Sequence, residues 1–178
     1  AWSPDGKYIA YTDTHYNLWY VDVNTGQARK VDTERYAHPN RSLNPVWSPD
    51  SKWLAYARLL DNQFKAIFVY NIETGQRIQV TDGMADAITP VWDAEGRYLY
   101  FLASTNYGLS TGWLDMSSYN NPVTRALYLV VLSKEGVSPL LPQSDEEQAN
   151  QEGEKKEEKP ENGVTVSIDA DGLQQRII

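Results

Sequence analysis

Trp2-Ser-Pro-Asp-Gly-Lys-Tyr-Ile-Ala-Tyr11 returns as Trp47-Ser-Pro-Asp-Ser-Lys-Trp-Leu-Ala-Tyr56, and more loosely as Trp92-Asp-Ala-Glu-Gly-Arg-Tyr-Leu-Tyr-Phe101. Successive tryptophans stand 45 residues apart, each followed by a turn-forming tetrad and a run of large apolar residues. A period in the forties, built from short strand-like runs and Gly/Pro/Asp turns, predicts four-stranded antiparallel blades of a β-propeller. The fold class read from the sequence is all-β.

The second unit, 42–82, is complete: Leu43 to Trp47, Trp53 to Arg58, Ala66 to Ile72 and Arg77 to Thr81 are its expected strands. Ser48-Pro49-Asp50-Ser51 fits a type I turn, because Pro presets φ at the second position while Ser and Asp bond nearby amides. The first unit, 1–32, has the same turn ending in Gly6 but lacks most of its first strand. The third, 87–143, runs from near Ile88 through Tyr98 to Ala103 and Ala126 to Leu132, with a long insertion over 104–125 and a weak outer strand near Ser138 to Leu141. An acidic linker at 144–163 reads as disordered. Residues 164–178 then read as the start of a next blade, Val164 to Ile168 as its first strand and Leu173 to Ile178 opening its second. The total is an incomplete propeller of about three and a half blades, completed either by blades outside this sequence or by another chain, since a ring takes roughly four to eight.

Large groups alternate on both faces of the second strands, as in Trp53, Leu54 and Tyr56, which implies cover from both sides. Small Ala10 and Ala55 recur at one position, leaving room for an aromatic of the following blade.

Composition narrows the functional classes. The 178 residues carry a net charge of −8, and eight carboxylates against three lysines place −5 of it between 144 and 163. No basic footprint for nucleic acid is present. There are no cysteines, hence no disulfide or thiolate zinc site. No apolar run is long enough to cross a bilayer, and the reading is a soluble protein, cytoplasmic or periplasmic. The opening Ala1-Trp2, inside a repeat and without an initiator methionine, reads as part of something longer.

Loops joining second to third strands leave a blade at the same end as the connectors between blades. That end receives the irregular segments 32–42, 59–65, 104–125 and 144–163, whereas the other receives only tight turns, so binding is expected on the loop-bearing face. Tyr107, Trp113, Asp115, Tyr119 and Arg125 are the candidate peptide or partner contacts; Trp113, Leu114 and Met116 could equally fold back as a cap. No catalytic set stands out. The two histidines, His15 and His38, lack a spacing that points to a serine nucleophile or a metal, and no cofactor or metal is assigned.

Two stretches narrow the group further. Asn17-Leu-Trp-Tyr-Val-Asp22 with Phe68-Val-Tyr-Asn-Ile-Glu-Thr-Gly75, and Ala103-Ser-Thr-Asn-Tyr-Gly-Leu-Ser-Thr-Gly-Trp-Leu-Asp-Met-Ser-Ser118 with Tyr128-Leu-Val-Val-Leu132, resemble the second, seven-bladed propeller of bacterial tricorn protease homologues. More broadly the repeats resemble TolB-like and WD40-like propellers. The resemblance implies a noncatalytic segment that guides or filters peptides and scaffolds a serine-peptidase core elsewhere in the parent. The family's catalytic residues belong to that core and map onto no position here. Implied partners are peptides or unfolded polypeptide and the remaining blades and peptidase domains of the same protein, with homo-oligomerisation left open. The alternative is a TolB-like protein–protein interaction module without a linked protease.

Overall fold

The computed structural model of the chain describes residues 1–35, 43–107, 122–141 and 163–178. Within them ten strands form three antiparallel sheets. Blade 1 contains β1 (Tyr8–Thr12), β2 (Asn17–Asp22) and β3 (Ala28–Thr33), with Trp2 bridging to Ile9 where a first strand would lie. Blade 2 contains β4 (Val46–Trp47), β5 (Trp53–Leu59), β6 (Lys65–Asn71) and β7 (Arg77–Gln79), paired in that order. Blade 3 contains β8 (Asp86–Trp92), β9 (Tyr98–Ser104) and β10 (Ala126–Val131). β4 is shorter than Leu43 to Trp47 because Asn44 takes a left-handed φ of 43° and Pro45 offers no amide to the ladder.

The strands of blade 2 are covered on both faces, and the cover alternates with the pleat. Leu54, Tyr56, Ala66 and Phe68 join Ala10, Leu18, Tyr20 and Val31 of blade 1, whereas Trp53, Ala55, Ala57, Ile67 and Val69 join Leu99, Phe101, Ala103 and Val130 of blade 3. The period of two in the sequence thus splits one strand between two interfaces. At the first interface Tyr8 stacks on Trp47, with ring centroids 5.8 Å apart, and Tyr20 meets both edge-on. The Trp47 indole donates across the interface to the Ala1 carbonyl (3.2 Å), and Trp92 repeats this toward Val46 (3.1 Å). Ala10 and Ala55, both fully buried, share clusters with Trp47 and Trp92 respectively, so the small side chains do leave space for the next blade's ring.

The tight turns sit together at one end. The Ser51 amide donates to the Ser48 carbonyl (2.9 Å), and Ser48 Oγ accepts the Trp53 amide (2.9 Å). Gly6 and Gly96 take φ of 70° at the closing position, and Ser51 takes 61°. The left-handed conformation costs a residue with a Cβ about 1–2 kcal/mol, and Ser51 offsets part of this by accepting the Asp5 amide from the neighbouring turn (3.1 Å).

The end of the chain departs from the sequence reading. Ser138–Leu141 forms a turn, not an outer strand, and Leu173–Arg176 is a 3₁₀ helix, not the beginning of a second strand. Ile177 and Ile178 pair antiparallel with Val130 and Leu129, which gives blade 3 its outermost strand position from beyond the acidic segment. Arg176 fixes this arrangement by donating to the carbonyls of Val131, Leu132, Asp169 and Asp171. Val166 is buried against the same core, and its amide donates to Asp50 Oδ2 (2.9 Å). The chain leaves β10 and returns at the tight-turn end: the Leu132 amide donates to the Arg97 carbonyl, and Val164 and Val166 lie against Gly96. The segment expected to join the loop-bearing face as a connector between blades instead interrupts the connection from third to fourth strand of blade 3. Residues 144–162 themselves lie outside the described residues.

Trp47→Ala should cost about 3–5 kcal/mol, the range for deleting a buried large aromatic. Denaturant unfolding that shows a change below about 1 kcal/mol would mean that packing between blades contributes little.

Candidate functional site: the loop-bearing face

At the end opposite the tight turns, segments from all three blades meet. The Leu59 amide donates to Glu34, Asn62 Nδ2 donates to the Gly83 carbonyl (2.8 Å), and the Lys65 amide donates to Asp86 Oδ1 (2.9 Å). The described parts of 32–42, 59–65 and 104–125 therefore share one face. Residues 36–42 and 108–121, with His38, Trp113, Asp115 and Tyr119, lie outside the described residues.

Tyr107 and Arg125 come together. The Arg125 guanidinium lies 5.4 Å from the centre of the Tyr107 ring, and Phe64 meets that ring edge-on at 6.0 Å. Arg125 is held by Asp86, whose carboxylate it approaches at 2.7 Å while also donating to the Asp86 carbonyl at 3.0 Å. Asp86 is buried at the start of β8, so Arg125 ties the base of the long insertion to the inner strand of its own blade. Burial, together with the Asp86 charge, pushes the Tyr107 hydroxyl above its usual range, and Arg125 offsets this in part. Tyr107 therefore remains a neutral, amphipathic ring at the rim.

A second group spans blades 1 and 2. Buried Asp32, at the end of β3, accepts the Tyr56 hydroxyl (2.7 Å), Arg58 Nη1 (3.1 and 3.2 Å) and Arg77 Nη1 (2.9 Å). Burial, then the Asp32 charge and hydrogen bond, push the Tyr56 hydroxyl far above its usual range, so it stays a donor. Arg58 also lies over the Phe68 ring at 4.5 Å. Above these groups opens a cleft of about 480 Å³ lined by Arg35, Arg58, Leu59, Leu60, Asp61, Asn62 and Arg77. Arg35 bonds Asp61 at 2.9 Å, but both side chains are more than two-thirds exposed, so that pair contributes little. Sequence reasoning did not find this group, whose other members lie 24 to 45 positions from Asp32 on a second blade. A signal was nonetheless present: Asp32, Tyr56 and Arg58 change together to Thr81, Phe101 and Ala103 at the equivalent positions of the next interface.

Among the described residues no group of three or more His, Asp, Glu or Cys side chains could hold a metal ion. No described helix is long and apolar enough to cross a membrane, which says nothing of membrane β-barrels.

The family model for the tricorn protease second β-propeller domain matches residues 1–178. The chain belongs to that family. It is 30% identical over 150 residues to a tricorn protease homolog of Saccharolobus solfataricus, a match covering 83% of this chain and 13% of that protein. The crystal structure of the tricorn protease superposes over 100% of this chain and 16% of its own length, with a TM-score of 0.68 and 17% identity. TolB from Acinetobacter baumannii covers 80% of this chain and 31% of its own length at a TM-score of 0.51 and 19% identity, which shows a common propeller architecture. This tricorn-type propeller segment thus spans a small fraction of the relatives that it matches.

On its loop-bearing face Glu34 carries a carboxyl held above its ordinary value of 4.5, because burial disfavours the ion more than the Leu59 amide and the charges of Lys65 and Arg58 favour it. The folded state therefore binds the proton more tightly than the unfolded state, and the burial penalty is absent below pH 4.5. It sets in as pH rises through the raised folded value. Glu34→Gln keeps an acceptor for Leu59 and removes the charge, so it should be nearly neutral in stability at pH 4 and stabilising at pH 7. Unfolding curves in which wild type gains on the variant as pH rises would contradict this reading.

Proposed function

We propose that this segment is a noncatalytic, peptide-guiding and scaffolding part of a tricorn-like serine protease. The observation that carries the proposal is the family match over the whole chain, joined to the concentration of irregular segments on one face. On that face Tyr107, Phe64 and Arg125 make an aromatic rim backed by a buried ion pair, suited to an extended polypeptide that offers backbone and apolar side chains. Trp113, Asp115 and Tyr119, borne on the same insertion, are proposed as further contacts. The partners in this reading are peptides or unfolded polypeptide, the remaining blades and peptidase domains of the same protein, and further copies of it.

The outer faces of the first and last blades support the scaffold role. Tyr11 on one, and Val91 and Leu127 on the other, remain exposed here and are apolar, as surfaces meant to be covered by neighbouring blades must be. The competing reading is a TolB-like interaction module with no linked protease.

The test uses the full-length protein. Tyr107→Ala should reduce cleavage of peptides of ten or more residues by about threefold or more, an effect of roughly 0.7 kcal/mol. Hydrolysis of a di- or tripeptide amide, which needs no guidance, should be unchanged. Equal loss on both substrates, or no loss on either, would overturn the guiding role, and a full-length protein without peptidase activity would favour the interaction module.

A further inference from the structure

The two clefts between adjacent blades on the loop-bearing face are built from equivalent positions but have opposite chemistry. Counted from Trp47 and Trp92, Arg58 corresponds to Ala103 and Leu60 to Thr105; counted from Gly26 and Gly75, Arg35 corresponds to Met84. The cleft between blades 2 and 3 is accordingly mostly apolar, with Met84, Ala87, Phe101, Ala103 and Tyr128 in its lining and Asp82 as its one charged member. Its counterpart between blades 1 and 2 is lined by three arginines. The cleft at the second interface is built without an arginine in its lining, so the arginines of the first are not a requirement of blade packing.

Those arginines are also arranged in advance. Buried Asp32 is a single carboxylate serving Arg58 and Arg77 together, and Tyr56 adds a third donor to it. One negative charge beneath two guanidinium groups leaves that triad net positive. Asp32 engages Nη1 of each arginine, while Phe68 supports the plane of Arg58. Arg58 Nε is buried with no acceptor among the described residues. Arg35 stands at the mouth and, among the described residues, pairs with exposed Asp61, a contact that an incoming anion could displace at small cost. Glu34, nearly buried, has its carboxylate directed to the Leu59 amide.

We propose that the cleft between blades 1 and 2 is a carboxylate-binding site for a peptide, taking its C-terminal carboxylate or an acidic side chain through Arg35, Arg58 and Arg77. The planar fork of a guanidinium matches a carboxylate in a bidentate manner, and orientation fixed beforehand by Asp32 and Phe68 lowers the ordering cost of binding. The proposal rests on the reading that this face handles peptides and adds a selectivity to it: anionic groups bind between blades 1 and 2, and not in the apolar cleft beside it.

The experiment is fluorescence anisotropy on the full-length protein, pretreated with a serine-directed fluorophosphonate so that the probes survive. The probes are fluorescein-labelled Ala-Ala-Ala with a free C-terminus and the same peptide as its carboxamide, with inorganic phosphate as a competitor. The free acid should bind at least tenfold more tightly than the amide, Arg77→Ala should abolish that difference, and phosphate should compete only at much higher concentration. Arg35→Ala, a change at an exposed side chain that leaves Asp32 its partners, should weaken the free acid about threefold even if Arg77→Ala proves poorly folded. Equal binding of acid and amide, with no effect of either variant, would overturn the carboxylate site while leaving peptide handling intact. Phosphate binding without peptide binding would reduce the cleft to a general anion site, and absence of all binding would also reject the proposal.

Discussion

The indoles of Trp47 and Trp92 each reach back to the carbonyl beside the preceding tryptophan position, and the remaining architecture is arranged around that bond. Trp47 donates to Ala1, and Trp92 donates to Val46, so the inner strands hold a constant offset from one blade to the next. An indole carries one donor and a large apolar body, so placing it at a sheet interface couples a directional bond to burial. Ala10 and Ala55 make room for the rings, and Tyr8 and Tyr20 fill the space around Trp47. Because β-strand side chains alternate, the fixed offset commits every second residue of β5 and β6 to one neighbour and the rest to the other.

That commitment separates structure from function along the strand axis. The strand centres and one end are given to interlocking rings and tight Ser-Pro-Asp turns, where Ser51 accepts a left-handed φ and uses its hydroxyl on the adjacent turn. The other end carries longer segments held by buried carboxylates: Asp32 pairs with Arg58 and Arg77 across two blades, and Asp86 pairs with Arg125 within blade 3. Buried carboxylates with several donors keep these loops in place without supplying apolar bulk, and their guanidinium partners remain partly open to solvent. The proposed receipt of polypeptide would take place on this surface, in a chain that belongs to the tricorn second-propeller family.

The repeat was legible because its signals are local. Trp47, the Ser48 to Ser51 turn and the alternation through Tyr56 lie within ten residues, and each constrains backbone geometry directly. The outermost strand of blade 3 was not legible, since its residues, Ile177 and Ile178, follow β10 only after a long acidic interruption and a 3₁₀ turn. Asp169-Ala-Asp-Gly172 presents the Asp169 and Asp171 carbonyls to Arg176, a partner that no propensity reveals. On the candidate site, the proximity of Tyr107 and Arg125 follows from both flanking the same insertion. Asp86, the residue that holds Arg125, sits in an apparently ordinary inner strand, and the Asp32 group depends on contacts between blades that only three-dimensional register creates.

The central claim is that the Trp47 indole, through its bond and its ring contacts, couples blade 2 to blade 1, and a double-mutant cycle on Tyr8 and Trp47 tests it most directly. Rings 5.8 Å apart at an interplanar angle of 25° should show a coupling of about 0.5–1.5 kcal/mol between Tyr8→Ala and Trp47→Ala in equilibrium unfolding. Additive losses, with coupling below about 0.3 kcal/mol, would show that the two blades are stabilised independently and would contradict the account.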